Sequence, residues 1–171
     1  MKYVLALACL VAASGCTKDE DDADSDRTDS EAMQPIGSYD IDAEDGTVRA
    51  THRDGTGLTT TMEAGQRVSA SLPDPFALYP GATVTNTTVV QQGKGTLVVI
   101  EFETPDPRDR IVEYYRAAAS RAAIEPDVDI EAGATTTLAG SNNKDRMRFA
   151  LQVTRAGKLT TGQINVSTGL D

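Results

Sequence analysis

Side chains able to do covalent or metal chemistry are few in this chain, and their placement excludes more than it allows. There are two cysteines, Cys9 and Cys16, both in an apolar N-terminal run. A disulfide framework, a zinc cluster and a thiol nucleophile are therefore excluded for the rest of the sequence. His52 is the single histidine. A general base or a metal ligand needs partners, and no His/Cys cluster surrounds it, so it reads as a structural or exposed residue. Asp40, Asp42, Glu44 and Gly46 outline a calcium loop, but the glycine falls one place late and the twelfth position is Thr51 rather than Glu, so the loop fails. Gly93 and Gly95 read as hairpin glycines, without the strand–loop–helix context of a phosphate cradle. Tyr79, Tyr114 and Arg116 could form a surface patch, although Tyr114 falls at the rim of its helix. No catalytic, cofactor or metal site is assigned, and an enzyme is not expected.

The charge balance narrows the partners. The chain has 171 residues, a net charge of −10 and a pI near 4.5, which argues against nucleic-acid binding. Aromatic residues make up 5% and Trp is absent, so a stacking platform is not expected. Thr, Val, Ala and Gly dominate the middle of the chain and favour strands with modest core side chains.

Residues 1–15 read as an export signal. Lys2 gives a minimal positive start and residues 3–13 an apolar stretch, well short of the ~20 residues a membrane-spanning helix needs. The stretch runs into Ala13-Ser14-Gly15-Cys16, which resembles the lipobox of bacterial lipoproteins, with Ala13 where that family prefers Leu. The resemblance implies a diacylglyceryl group on the Cys16 thiol, cleavage between Gly15 and Cys16, and acylation, typically palmitoylation, of the new amine. More than one acyl chain makes membrane attachment stable. Thr17, in place of the Asp that retains such proteins at the inner membrane, leans toward the outer membrane and its periplasmic face. The run Cys16-Thr17-Lys18-Asp19-Glu20 also looks like the acidic signal that sends some lipoproteins to the cell surface. Residues 16–35 then form a tether. Eight acids face two basic residues over 17–31, so this stretch cannot bury surface and is expected to be disordered. As a coil it would span roughly 25 Å. The same flexibility denies the Asp run the fixed oxygen cage that calcium requires.

The remainder divides at about residue 72. In 36–72, turns at 43–46, 54–57 and 63–65 separate short strands, with Val48, Ala50 and His52 on one face of a half-buried strand and Leu58, Thr60 and Met62 on one face of the next. A further strand is expected over 68–72, with Val68, Ala70 and Leu72 sharing a face. Such a meander is marginal alone and should dock on the larger unit C-terminal to it. In 73–171, strands are expected over 83–91 and 96–104. Val98, Ile100 and Phe102 share one face of the second, and Leu97 and Val99 on the other predict a central strand partly covered on both sides. A helix is predicted over about 107–123, capped by Asp106 with Pro107 at its first position and ended by Glu125-Pro126. Ile111, Val112, Tyr115, Ala118, Ala119 and Ala122 form its apolar stripe. Strands over 134–140, 147–154 and 159–168 complete a β-β-α-β-β-β order. The fold class is α+β, a mainly antiparallel sheet with one packed helix, preceded by the meander. Leu78-Tyr79-Pro80-Gly81-Ala82, the hairpin after it and Val112-Glu113-Tyr114-Tyr115-Arg116 resemble a small domain of bacterial lipoproteins to which no activity is attached. That resemblance supports fold and address only. The sequence points to a membrane-anchored, periplasm-facing lipoprotein acting as a non-enzymatic binding module with an envelope protein partner, docked for instance by strand addition. A structural envelope-maintenance role is the alternative.

Overall fold

A computed structural model describes residues 37–69 and 71–170. The signal, Gly15, Cys16 and the acidic tether lie outside the described residues. The strands are β1 (Gly37–Ile41), β2 (Val48–Arg53), β3 (Thr59–Gly65), β4 (Thr83–Gln92), β5 (Gly95–Thr104), β6 (Pro126–Ala132), β7 (Thr135–Asn142), β8 (Met147–Ala156) and β9 (Leu159–Thr168), with one helix, α1 (Arg108–Arg121), between β5 and β6. They form one antiparallel nine-stranded sheet in the order β1-β2-β3-β4-β5-β9-β8-β7-β6. The chain meanders outward to β5, crosses by α1 to the far edge, and meanders back until β9 pairs with β5.

The α+β class therefore holds, with one helix among the described residues, and three finer expectations are corrected. The order after residue 83 contains an additional strand, β6. The N-terminal strands do not precede the sheet: β3 pairs with β4 over Thr60↔Gln92 to Gly65↔Thr87, so the meander is part of the sheet itself. The described residues of 68–72 form no strand. Residues 66–82 instead carry Leu72, Phe76 and Tyr79 into the core. A strand there would have continued the sheet's plane and left those side chains no route onto its face.

The core occupies one face of the sheet. Cross-strand partners share a face, and three rows of them run from β8 through β9 to β5: Phe149–Val166–Val98, Leu151–Ile164–Ile100 and Val153–Gly162–Phe102. Each is buried or, at Gly162, without a side chain. On these rows lie the helix residues Ile111, Val112, Tyr115, Ala118 and Ala119, all buried, together with the 66–82 segment, whose Phe76 ring stacks on Phe149 at 5.3 Å. The predicted stripe is the buried face of α1, with Ala122 half-buried at its end.

Both ends of the helix differ from expectation. Pro107 is the N-cap, and no side chain caps the first turn. The Asp106 carboxylate accepts a hydrogen bond from the Tyr79 hydroxyl at 2.6 Å instead. The Asp106 carbonyl accepts from Thr160 Oγ1 at 2.7 Å and from Arg155 at 2.9 Å, which ties the helix entrance to β8 and β9. The helix stops short of Pro126. The Ala123 amide donates to the Ser120 carbonyl and the Ile124 amide to the Ala119 carbonyl, a Schellman closure with buried Ile124 as its apolar contact. Ala123 sits at φ +54°, where an L side chain costs about 1–2 kcal/mol. Ala123→Gly is thus expected to raise the thermal midpoint, by an amount equivalent to about 1 kcal/mol. Calorimetry of the two chains checks this, and a lowered midpoint would contradict the closure.

Turn chemistry sets the N-terminal register. The Asp54 carboxylate accepts from the Thr56 hydroxyl, the Thr56 amide and the Leu58 amide. These bonds, the hydroxyl's foremost, hold its carboxyl below the usual range. Their contribution is present above that range and is lost as the pH falls through it.

Candidate interaction surface

The register that builds the core also builds a second, uncovered face. One row crosses all nine strands: Ile41, Val48, Ala64, Thr88, Val99, Asn165, Ala150, Ala139 and Val128. The neighbouring row runs Tyr39, Ala50, Met62, Val90, Leu97, Ser167 and Arg148. The row on the other side continues through Glu101, Gln163, Gln152, Thr137 and Ile130. None of these residues belongs to the buried core cluster. Leu97 and Val99, expected on a partly covered side of a central strand, are half-buried there. β5 is central, but the helix and the 66–82 segment pack on its opposite side.

This face changes chemistry along its length. Over β5, β9, β8 and β7 it is mainly polar, and a depression of about 290 Å³ is lined there by Thr85, Glu101, Gln152, Thr154, Thr161 and Gln163 among others. Toward β1 two of its rows are mainly apolar, with Tyr39 65% and Ile41 55% exposed, and a polar row of His52, Thr60 and Gln92 runs beside them. The core-side face of β1 to β3 carries Ser38, Asp40, Arg49, Thr51, Thr61 and Glu63, and Arg49 pairs with Glu63 at 2.8 Å. The meander is thus amphipathic in the opposite sense to the rest of the sheet. Its polar side chains share the core's face, and its apolar ones point away from it. Water is a poor neighbour for a contiguous apolar patch, and such patches mark interaction sites.

The structure separates the residues singled out from the sequence. His52 is exposed on β2, in line with Thr60 and Gln92 on the uncovered face. Asp40 lies in β1, and Asp42, Glu44 and Gly46 lie in the turn after it, where Asp42 Oδ1 accepts from the Glu44 amide. Among the described residues no group of three or more His, Cys, Asp or Glu side chains is arranged to hold a metal ion. Tyr79, Tyr114 and Arg116 do not form one patch. Tyr79 is buried and meets Tyr114 edge-on at 5.3 Å. The hydrogen bond to Asp106, aided by burial, pushes its hydroxyl pKa up. Arg116 pairs with Asp129 of β6 at 2.7 Å. A shallow groove of about 450 Å³ runs beside the tyrosines, lined also by Pro80, Asp106, Arg110 and Glu113. Gly15 and Cys16 lie outside the described residues. No helix among the described residues is long and apolar enough to cross a membrane.

The apolar rows were partly visible in the sequence, because Val48, Ala50, Thr60 and Met62 alternate with polar neighbours. That alternation identifies an apolar face but not the side on which the core lies. No protein-family model, curated protein or solved structure matches this chain.

Proposed function

We propose that this chain is a lipid-anchored envelope protein whose folded part is a non-enzymatic binding module, and that the uncovered apolar face of β1 to β5 is where it takes a protein partner. The observation that carries this reading is the inverted amphipathicity of the meander. Three strands place their apolar side chains on the face opposite the core, where Val48, Ala50, Met62 and Ala64 are only half-buried and Tyr39 and Ile41 are exposed, so that a second molecule would complete their burial. The polar half of the same face, with Arg148, Glu101 and the Gln and Thr side chains, would form the rim. The lipobox at residues 13–16 supports anchorage through Cys16, and the acidic run supports a tether that lets the module stand clear of the bilayer. Thr17 favours outer-membrane attachment on the periplasmic side, with surface exposure as the variant that the acidic run allows.

The test is photo-crosslinking in intact cells from a benzoylphenylalanine placed at Met62 or Leu97, with Gln152 as the comparison site and fatty-acid labelling of the same cells. A discrete adduct from positions 62 and 97, weak or absent from 152, is expected, and acyl label should disappear in Cys16→Ala. Label that persists in Cys16→Ala defeats the anchor. Adducts of equal strength from all three positions defeat the docking face.

A further inference from the structure

The sheet has two edges, and they are finished differently. The β6 edge begins with Pro126, carries a register shift between Pro126 and Val128, and is tied to α1 by Arg116–Asp129 at 2.7 Å and Arg108–Glu131 at 3.8 Å. Proline, bulges and charge are the devices that stop an edge from accepting another strand. The β1 edge has neither a proline nor a bulge, Asp40 is its one charge, and all five of its residues are exposed. We infer that β1 pairs antiparallel with β1 of a second copy of this chain, joining two sheets about a two-fold axis at Tyr39.

The register is set by which amides are free. The Asp42 amide donates to the Thr47 carbonyl at 2.8 Å, which continues the Ile41↔Val48 pairing of β1 with β2. Hydrogen-bonded pairs alternate along an antiparallel ladder, so Asp40 and Ser38 also bond inward to β2. Gly37, Tyr39 and Ile41 present their amides and carbonyls outward. A two-fold at Tyr39 makes Tyr39 the central hydrogen-bonded pair and sets each Gly37 against the other copy's Ile41. The outward groups of all three residues are then used. Ser38 faces Asp40 on each side of the axis, so a hydroxyl meets each carboxylate and the two carboxylates do not meet. A two-fold at Asp40 would set the two carboxylates opposite each other at a closely spaced, non-hydrogen-bonded pair, and would put Gly37 opposite Ala43 of the following turn, leaving its outward groups without a strand partner. The apolar side chains Tyr39 and Ile41 come together on the uncovered face, which makes that face continuous across the two copies. Five residues a side bury less than the ~1,200 Å² of a standard stable interface. The pairing is accordingly a weak one that forms at high local concentration. It does not depend on the face-docking reading and can stand if that reading fails.

Disulfide trapping tests the register. The full chain carries Cys9→Ser and Cys16→Ser, so that an introduced thiol is the one available, and is oxidised at high protein concentration. Paired Cα atoms at a hydrogen-bonded site lie about 5.5 Å apart, within the ~4.4–6.8 Å that a disulfide spans. Tyr39→Cys is expected to give a covalent homodimer. Ser38→Cys and Asp40→Cys should each remain monomeric alone and give a heterodimer when mixed. Tyr39→Pro, which removes an outward amide and leaves the β2 ladder intact, should abolish the mixed 38–40 crosslink while circular dichroism shows the fold retained. Equal trapping at 38, 39 and 40, or no dimer at 39 in a folded chain, overturns the pairing. So does a Tyr39→Cys chain that, in cell extract, forms its disulfide with a different protein in preference to itself.

Discussion

Gly162→Ala is expected to destabilise the fold by about 1–3 kcal/mol, and Gly162→Val by more, with most of the loss recovered when Phe102→Leu is added. Gly162 lies on β9 between Phe102 of β5 and Val153 of β8. Its backbone conformation is one that any residue adopts, so the cost is space alone. A Cβ there would strike the Phe102 ring end-on, with Cε1 and Cε2 of that ring 2.8 Å away. Phe102 cannot yield, because it is 1% exposed and sits 6.3 Å, centroid to centroid, from the buried Tyr115 ring. Leucine at 102 removes the atoms that collide. Thermal denaturation of the four chains of the double-mutant cycle measures the coupling. Additive losses would show that the ring and the glycine do not share that volume.

Tyr115→Phe is expected to cost about 1–3 kcal/mol for one missing oxygen atom, and Tyr115→Ala about 3–5 kcal/mol. Tyr115 is fully buried, and its hydroxyl oxygen accepts the Tyr79 amide at 3.1 Å. That bond fastens the 66–82 segment to the helix. Without it the Tyr79 amide is left buried with no acceptor in its place. Burial drives the Tyr115 hydroxyl well above the ordinary phenol range, so the group is neutral at working pH and the cost should not vary between pH 6 and 9, a window lying below the ordinary phenol value of 10.0. Tyr79→Phe removes a hydroxyl whose partner Asp106 is only part-buried, and should cost less than Tyr115→Phe. Chemical denaturation of both chains checks the order. A cheaper Tyr115→Phe would mean that water or another group replaces the lost acceptor.

Much of the fold was legible because strong local signals agreed with tertiary needs. The Ile111–Val112–Tyr115–Ala118–Ala119 stripe had one possible use, and the alternating strands after residue 83 each offered a single apolar face. β6 was missed although Val128, Ile130 and Ala132 alternate with Asp127, Asp129 and Glu131. Pro126 read as a stop for the helix, when it also serves as the first residue of an edge strand, where a proline is tolerated. Asp106 carries the signature of a cap, but the Tyr79 hydroxyl, 27 positions away in the chain, takes its carboxylate, and no local pattern reports that. The candidate surface was legible by composition and illegible by orientation. Period two separates the faces of β2 and β3, but which face meets the core is settled only when β3 pairs with β4.

The β1 to β3 meander carries polar side chains on one face and uncovered apolar ones on the other, and no core residue comes from its strands. Its hold on the molecule is the ladder to β4 and little else. Amide exchange should therefore be graded across the sheet, slowest in β5 and β9 and fastest toward β1, because sub-global opening costs least where few apolar contacts must break. The chain enters this sheet at β1. If Cys16 holds it to a bilayer and the core is held elsewhere, tension acts first on the outermost ladder, ahead of β5, which is paired on both sides. The module would then lengthen under strain by releasing strands from the membrane end and keep its helix-covered core folded.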